Sequence, residues 1–210
     1  MGRRSRIRRA LAGTLLAALA SAGCASSAEA PGPGQTRGFV PDLSSATVLV
    51  MPVQRARGVP GGLDDELAFQ LRERGSRVRW VMPDEARRAV ERAPGLDATV
   101  DRLPVEVFLV AEVDRVGDPL YGALRRAADL VGAEVVLLPV EVRYRPAASG
   151  PDGAVAGAVE VVAALIAART GRVIWFGVIE GAPAERGNLP AAASALEALA
   201  RTVVPVTDIR

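Results

Sequence analysis

Apolar residues after position 46 form short runs and helical stripes in alternation. Residues 47–51 are β-branched and apolar and end at a proline, which predicts a buried strand. Leucines spaced four residues apart at 63–71, followed by Gly75, predict an amphipathic helix with acids in its first turn. Residues 78–81 predict a second strand, and Pro83 opens a second helix that should run to about residue 93.

The pattern then changes from helices to strands. Residues 105–113 have a high β-branched content, so we expect a strand there. An apolar stripe over 120–131, opened by Asp118 and closed by Gly132, predicts a third helix.

The last third of the chain predicts a long strand over 134–145. Its alternation should place two sets of side chains on opposite faces, namely Val140, Val142 and Tyr144 against Glu141 and Arg143. Residues 155–168 and 173–179 flank Thr170-Gly171, which predicts a β-hairpin. Residues 190–203 predict a final helix.

These elements predict a single α/β domain over 46–210. We expect an αβ sandwich with a mixed parallel and antiparallel sheet flanked by helices. The later strands are apolar on both sides, so helices should cover both faces. Trp175 and Phe176 are adjacent and would point to opposite faces of a strand, which favours core packing. The alternative for the aromatic residues is a role as partner anchors: Trp80, Tyr121, Tyr144, Trp175 and Phe176.

Residues 1–23 have the layout of a secretory signal peptide. Five arginines form a basic start, residues 10–20 are apolar, and Ser21-Ala22-Gly23 supplies small residues before Cys24. Cys24 is the only cysteine in the chain, so no intrachain disulfide can form. A cysteine at the expected cleavage site resembles the signal peptide of bacterial lipoproteins.

The resemblance to a lipoprotein leader implies three modifications at Cys24: a thioether to diacylglycerol, cleavage before the cysteine, and acylation of the new amino terminus. The sequence departs from that pattern at Ser21, where leucine is usual. An ordinary signal peptide cut near residues 28–30 is one alternative. A transmembrane anchor is another, although the apolar run is about half of the roughly 20 residues that a spanning helix needs. A twin-arginine leader around Arg8-Arg9 is a third.

Residues 24–45 predict a flexible, lipidated linker. The stretch is rich in proline, glycine and serine and has neither a helical nor a strand period. At roughly 3 Å per residue, it would let the domain stand on the order of 60 Å from a membrane.

The charge balance of the mature chain gives no support for nucleic-acid binding. The leader holds five of the 26 basic residues and none of the 24 acidic ones, so 21 basic residues face 24 acidic ones and the net charge is −3. Every basic residue is arginine, and the chain contains neither histidine nor lysine.

The absence of histidine and lysine excludes most common catalytic arrangements. Ser–His pairs, Cys–His pairs and Schiff-base lysines cannot be built, and a zinc site lacks its commonest ligands. The sequence also has no phosphate-binding glycine motif. We therefore expect no enzyme activity, no cofactor and no metal. An envelope hydrolase that uses carboxylates is the enzymatic alternative.

Two groups of carboxylates have the chemistry to bind a ligand. The acids at 64–66 could hold a hard cation, but a helix start explains acids there without one. Glu112 and Asp114 could flank a ligand, but a solvated strand end is the better interpretation, with Asp118 capping the next helix.

Short motifs in the domain resemble a group of periplasmic domains. They are the opening strand at 48–53, the glycine-led aliphatic strand at 132–138 and the Thr-Gly turn at 170–175. In this order they are similar to the domain shared by the curli-secretion lipoprotein CsgG, the penicillin-binding-protein activator LpoB and the amino-terminal domain of TolB. The resemblance covers about 46–205 and implies an envelope scaffold or regulator. It does not imply a pore, because the chain has no insertions long enough for extra membrane-spanning hairpins.

The sequence thus predicts a non-enzymatic periplasmic lipoprotein, held at the outer membrane by lipid on Cys24. It would assist or regulate an envelope machine such as peptidoglycan synthesis or secretion. Its partners would be the membrane and an unidentified envelope protein, with no nucleic acid, and self-association into a homo-oligomer stays open. The alternative is a ligand-binding or transport-auxiliary lipoprotein.

Overall fold

The computed structural model describes residues 32–95, 99–110, 113–147 and 156–205. The amino-terminal half forms β1 (Thr36–Gly38), β2 (Thr47–Val50), β3 (Ala56–Arg57), α1 (Leu63–Arg74), β4 (Arg79–Val81) and α2 (Pro83–Glu91). The carboxy-terminal half forms α3 (Val107–Val110), α4 (Leu120–Val131), β5 (Val135–Arg145), β6 (Gly157–Ala167), β7 (Val173–Ala184) and α5 (Leu189–Val203).

The strands form one mixed sheet. It has seven strands in the order β1-β7-β6-β5-β2-β4, with β3 also paired to β5. β2 is parallel to both β4 and β5, whereas β5, β6, β7 and β1 pair antiparallel. Helices connect the parallel strands because such strands need a crossover. The prediction of an α/β sandwich with a mixed sheet is therefore confirmed.

Helices cover both faces of the sheet. α1 and α5 pack on one face, where Leu67 and Leu196 are fully buried. α2, α3 and α4 pack on the other face, where Leu124 is buried. Trp175 and Phe176 point to opposite faces and are 3% and 5% exposed, which confirms core packing for both. In the described ranges, no helix combines the length and apolarity of a membrane span.

Glycines and one aspartate lie at the ends of helices and strands where the sequence predicts them. The N–H of Gly75 donates to a carbonyl of the last turn of α1 at 2.8 Å. Gly132 after α4 and Gly171 in the hairpin both adopt a φ of 67°, which glycine enters at low steric cost. Pro119 occupies the N-cap of α4, and Oδ1 of Asp118, one residue earlier, accepts a hydrogen bond from the N–H of Gly122 in the first turn at 2.9 Å.

The predicted strand over 105–113 is wrong. Residues 107–110 form the short helix α3, and 111–112 lie outside the described residues. Phe108 is fully buried and stacks on Phe176, with ring centroids 5.8 Å apart. The packing of this ring on the face of the sheet outweighs the strand propensity of the valines around it.

The predicted alternation along β5 fails at one point. The register with β6 shifts between Pro139 and Glu141, which marks a β-bulge. Val140 therefore lies on the face of α4, whereas Val142 lies on the face of α1 and α5, rather than both on one face. Glu141 and Arg143 do bond each other, at 3.1 Å, as their shared face predicts.

The predicted flexible linker over 24–45 is corrected at its carboxy-terminal end. Within it, β1 pairs with β7 of the domain, and Leu43 is 4% exposed in the core beneath α1 and α5. The edge of β7 offers backbone partners to β1, and burial of an apolar side chain adds to the attachment. The domain therefore begins before residue 46. Cys24 and the rest of 1–31 lie outside the described residues.

Candidate functional site

A crevice opens where β2 and β4 end, between the loops that lead into α1 and α2. These helices lie on opposite faces of the sheet, so the loops diverge, and ligands of α/β folds bind at such points. The crevice has a volume of about 460 Å³ and is lined by part of the 53–62 loop and by Asp64, Asp84 and Arg87.

Arg87 supplies the cation of this crevice. Its guanidinium pairs with three carboxylates: Asp64 at 2.5 Å, Asp101 at 2.9 Å and Asp84 at 3.2 Å. The hydrogen bond with Asp101 is the main cause that raises the pKa of Arg87 above its ordinary value, and Asp64 adds to it. Arg87 thus pairs with all three acids, but its single charge leaves this group of side chains net negative.

The acids at 64–66 do not form an open cation site. Oδ1 of Asp64 accepts a hydrogen bond from the N–H of Val53 at 2.8 Å, and Oδ2 binds Arg87. Oε1 of Glu66 accepts from the side-chain amide of Gln70 at 2.7 Å. Among the described residues, no group of three or more His, Cys, Asp or Glu is arranged to hold a metal ion. These acids lie in the first turn of α1, as the helix-start interpretation predicts.

A second polar cluster lies on the sheet, near the end of β5 and the start of β6. Glu141 and Glu160 are each 1% exposed, and carboxylates are rarely buried unless they are paired. Arg143 bridges them, with Nη1 3.1 Å from Glu141 and Nη2 2.8 Å from Glu160. The Nε of Arg57 lies 2.9 Å from Oε1 of Glu141, an ion pair without hydrogen-bond geometry. The Nε of Arg145 lies 2.9 Å from Oε1 of Glu160.

The arginines form the outer layer of this cluster. The side chains of Arg57 and Arg145 are 61% and 51% exposed, whereas those of the two glutamates are 2% exposed. Arg55 extends the layer by pairing at 2.9 Å with Glu106, next to Val107, which is 42% exposed. The arginine surface is the set Arg55, Arg57, Arg143, Arg145 and Val107. Its four arginines pair with three carboxylates, Glu106, Glu141 and Glu160, so the surface carries a small excess of positive charge.

The patterns along the sequence do not indicate the arginine surface. Arg57 belongs to β3, a strand of two exposed residues that has no apolar signal. Glu160 belongs to a strand that the sequence marks only as apolar. One signal was available, because Glu160 is the only charged residue of the run 157–167 and its partner strand carries alternating Glu141 and Arg143. A charge in such a run indicates a paired, buried carboxylate.

The remaining sequence candidates have partners within the domain. Asp114 pairs with Arg37 at 2.5 Å and is 82% exposed, while Glu112 lies outside the described residues. The hydroxyl of Tyr144 donates to a carbonyl after β7 at 2.7 Å, and Nε1 of Trp80 donates to a carbonyl at the end of α1 at 2.9 Å. Their polar atoms bind neighbouring loops of the same domain.

Comparisons with known proteins give weak likenesses. No family model matches this sequence, and no curated protein matches it. A variant PelC dodecamer from Paraburkholderia phytofirmans is 18% identical, with a TM-score of 0.43 over 81% of this chain and 97% of that chain. A second PelC dodecamer from the same organism is 16% identical, with a TM-score of 0.39 over 81% and 96%. Lipoprotein GNA1162 from Neisseria meningitidis is 13% identical, with a TM-score of 0.39 over 75% and 97%. At identities and TM-scores this low, the function of this chain is not inferred from them.

Proposed function

We propose that this chain is a membrane-anchored envelope lipoprotein that acts without enzymatic chemistry, as an accessory or regulator that binds a protein partner. The observation that carries the proposal is the leader, basic and then apolar, that ends in small residues before the only cysteine, Cys24. Diacylglycerol and a further acyl chain there would supply the two hydrophobic signals that stable anchoring needs. The domain would then work in the periplasm, at the inner surface of the outer membrane.

The arginine surface supports a role in protein binding. Arginine is enriched at the energetic centres of interfaces. Arg57 and Arg145 each form an ion pair with a buried glutamate at 2.9 Å, while more than half of each side chain is exposed. A guanidinium that is already held in place loses less conformational entropy when a partner binds. The partner face should therefore carry carboxylates, which pair with guanidinium groups through charge-assisted hydrogen bonds.

The group of CsgG, LpoB and the TolB amino-terminal domain supplies the hypothesis for the kind of machine involved. The order of three features supports it: β2 precedes α1, Gly132 precedes β5, and the turn at 170–171 joins β6 to β7. Peptidoglycan synthesis and secretion are the two candidate processes. A second copy of this chain is an alternative partner that the same experiment tests.

A crosslinking pull-down from whole envelopes tests this function with three versions of the tagged full chain. Val107→Asp adds a carboxylate directly after Glu106, the partner of Arg55, at a position that is 42% exposed. Phe69→Asp is the matched control, because it makes the same kind of change on α1 at a position that is 55% exposed. We expect wild type and Phe69→Asp to recover the same partner. Val107→Asp should recover much less, because its carboxylate competes for the arginines.

Two outcomes would contradict the proposal. Equal recovery by all three versions would show that the partner does not bind at the arginine surface. A small molecule retained in native mass spectra, with no protein captured, would favour the ligand-binding or transport-auxiliary alternative. That alternative rests on the crevice of about 460 Å³ around Arg87. If the small molecule binds there, Arg87→Met should reduce the amount that the protein retains.

A further inference from the structure

The turn between β6 and β7 meets two other stretches of chain at one edge of the domain. Arg115 pairs with Arg172 in an isolated antiparallel bridge, and the N–H of Val116 donates to the carbonyl of Gly171 at 2.8 Å. β1 pairs with β7 alongside, where Gly38 lies opposite Trp175. The turn, the segment before α4 and β1 therefore form one continuous surface.

The backbone of the turn is held from two sides. The hydroxyl of Tyr121 donates to the carbonyl of Arg169 at 2.7 Å, and Nη1 of Arg115 donates to the next carbonyl at 2.6 Å. Gly171 adopts a φ of +67°, and a Cβ there would lie 2.8 Å from the ring of Tyr121. The turn is thus fixed against the domain, while the side chains of Arg169 and Arg172 are exposed.

The exposed groups at this edge combine positive charge with an aromatic ring. The hairpin edge is the set Arg37, Phe39, Arg115, Arg169 and Arg172. Phe39 directly follows β1 and is 68% exposed, although it is a large apolar side chain. The acids nearby are Asp114, which pairs with Arg37, Asp118, which bonds the first turn of α4, and Glu134 before β5. Four arginines against three acids leave a small excess of positive charge at an edge that also exposes an aromatic ring, and these two features together favour the interface of an anionic bilayer.

The chain reaches the hairpin edge by a short path from Cys24. Gly32, the first described residue, lies eight residues after Cys24, and eight residues span at most about 29 Å. The chain then joins the sheet, where the N–H of Gly34 donates to Val178 of β7 at 2.9 Å. From Val178 to Val173, beside the turn, is about 17 Å along the strand. A lipid on Cys24 would therefore keep the hairpin edge within reach of the bilayer.

We propose that the hairpin edge lies on an anionic phospholipid surface, as a second membrane contact beside the lipid on Cys24. The inference rests on the lipid anchor of the proposed function and adds an orientation to it. Glu160, beneath the arginine surface, lies seven residues from Ala167 at the hairpin end of β6, which is about 23 Å along the strand. The arginine surface and the hairpin edge are therefore separate along the sheet, so a membrane contact at the hairpin edge leaves the arginine surface available to a partner.

Vesicle sedimentation tests this contact without the anchor. The protein is the mature chain, 24–210, with Cys24→Ser, and the vesicles contain phosphatidylcholine alone or an equal mixture with phosphatidylglycerol. We expect binding to the mixed vesicles to be at least about tenfold tighter than to neutral vesicles, and to weaken in high salt. Arg169→Glu combined with Arg172→Glu should remove this difference.

A matched control separates the hairpin edge from general charge attraction. Arg72→Glu combined with Arg88→Glu makes the same change of charge at exposed positions of α1 and α2, and should keep the preference for anionic vesicles. Phe39→Ser changes no charge and should weaken binding several-fold through the lost apolar contact. Circular dichroism melts establish that each variant is folded. If a double variant does not fold, Phe39→Ser still tests the contact.

Three results would overturn the inference. They are equal binding to both kinds of vesicle, equal loss in the two double variants, and competition by soluble glycerol phosphate, which would indicate a headgroup pocket. Two other measurements would show a failure of the proposed function. The mass of the protein extracted from membranes reports the lipid on Cys24, and the pull-down reports the partner, whereas neither enters the vesicle measurement.

Discussion

Arg143 and Glu160 face each other across the antiparallel strands β5 and β6, with Nη2 2.8 Å and Nε 2.9 Å from the same carboxylate oxygen, Oε2. The glutamate side chain is 2% exposed and the arginine side chain 22%. Arg145 pairs with the other oxygen at 2.9 Å. Both oxygens of a buried carboxylate are therefore compensated by arginine, and each partner depends on the other for its charge balance.

Glu160→Leu should lower the free energy of unfolding by about 3 kcal/mol, because it removes the buried carboxylate that pairs with both Arg143 and Arg145 and leaves Arg143 with Glu141 alone. Urea denaturation of wild type and variant measures the change. The matched control is Glu197→Leu, which removes an exposed pair with Arg201 at 2.7 Å in α5. That change should cost less than about 1 kcal/mol. Equal costs for the two variants would show that burial of Glu160 contributes nothing to its role.

Leu67→Asp should unfold the domain or nearly so. Leu67 is fully buried at the centre of α1, where loss of the leucine alone costs about 2–5 kcal/mol. An unpaired buried carboxylate adds more, and typical domains hold about 5–15 kcal/mol in total. Asp65→Ala, at an exposed position of the same helix, should cost less than about 1 kcal/mol. Thermal melts compare the two. If a folded Asp65→Ala protein failed to complement loss of the wild-type protein in cells, the acids at 64–66 would instead form a functional site.

Removal of residues 24–43 should destabilise the domain, whereas removal of 24–31 should not. The longer deletion removes β1 and Leu43, and burial of a leucine contributes about 1.5–3 kcal/mol. For a domain of this size, that loss should lower the melting temperature by about 4 °C or more. Equal melting temperatures for both truncations would restore the interpretation of 24–45 as a linker without structural role.

Cys24→Ala should leave the domain folded but release it from membranes. Two or more acyl chains give stable attachment, where one gives only marginal binding. Fractionation after a high-salt wash measures this, since salt screens any electrostatic contact of the hairpin edge. A variant that still sediments with the membranes after the wash would rule out the lipid anchor.

Much of the fold could be predicted because periodicity and local stop signals coincide. The leucines at 63–71 precede a glycine, and the hairpin has Gly171 in the conformation its turn requires. α3 and β1 could not be predicted in this way, because a distant partner decides each of them. The helix α3 carries Phe108, which stacks on Phe176 from a distant strand. Residues 36–38 form a strand because they pair with the edge of β7.

The polar clusters depend even more on distant contacts. The acids at 64–66 could be placed at a helix start, but nothing local shows that Asp64 meets Arg87 from α2. The arginine surface combines β3, β5 and β6, and the bulge at Pro139 sets which side chains share its face. Charged residues on separate strands meet only when those strands pair in the sheet. The pattern within one strand therefore predicts the fold class better than it predicts the site.

Arg87→Met should leave three carboxylates without the cation that they share, so that calcium binds weakly in the crevice. The arginine pairs with three carboxylates, Asp64, Asp84 and Asp101, and its side chain is 32% exposed. Its loss should cost about 1–2 kcal/mol, below the value for a fully buried pair. Calcium binds carboxylate oxygens and stabilises the folded state that it binds, so it should restore part of the melting temperature.

The control for this prediction is Arg88→Met, which changes the exposed neighbouring residue of α2. It should change the melting temperature little, with or without calcium. Sodium chloride at equal ionic strength separates specific binding from screening of the acids, since a bound divalent ion should stabilise Arg87→Met more than screening does. If calcium and sodium act alike on Arg87→Met, the three carboxylates do not converge closely enough to share an ion. In that case Arg87 holds each acid separately, and the crevice lacks the geometry that a small cationic ligand would need.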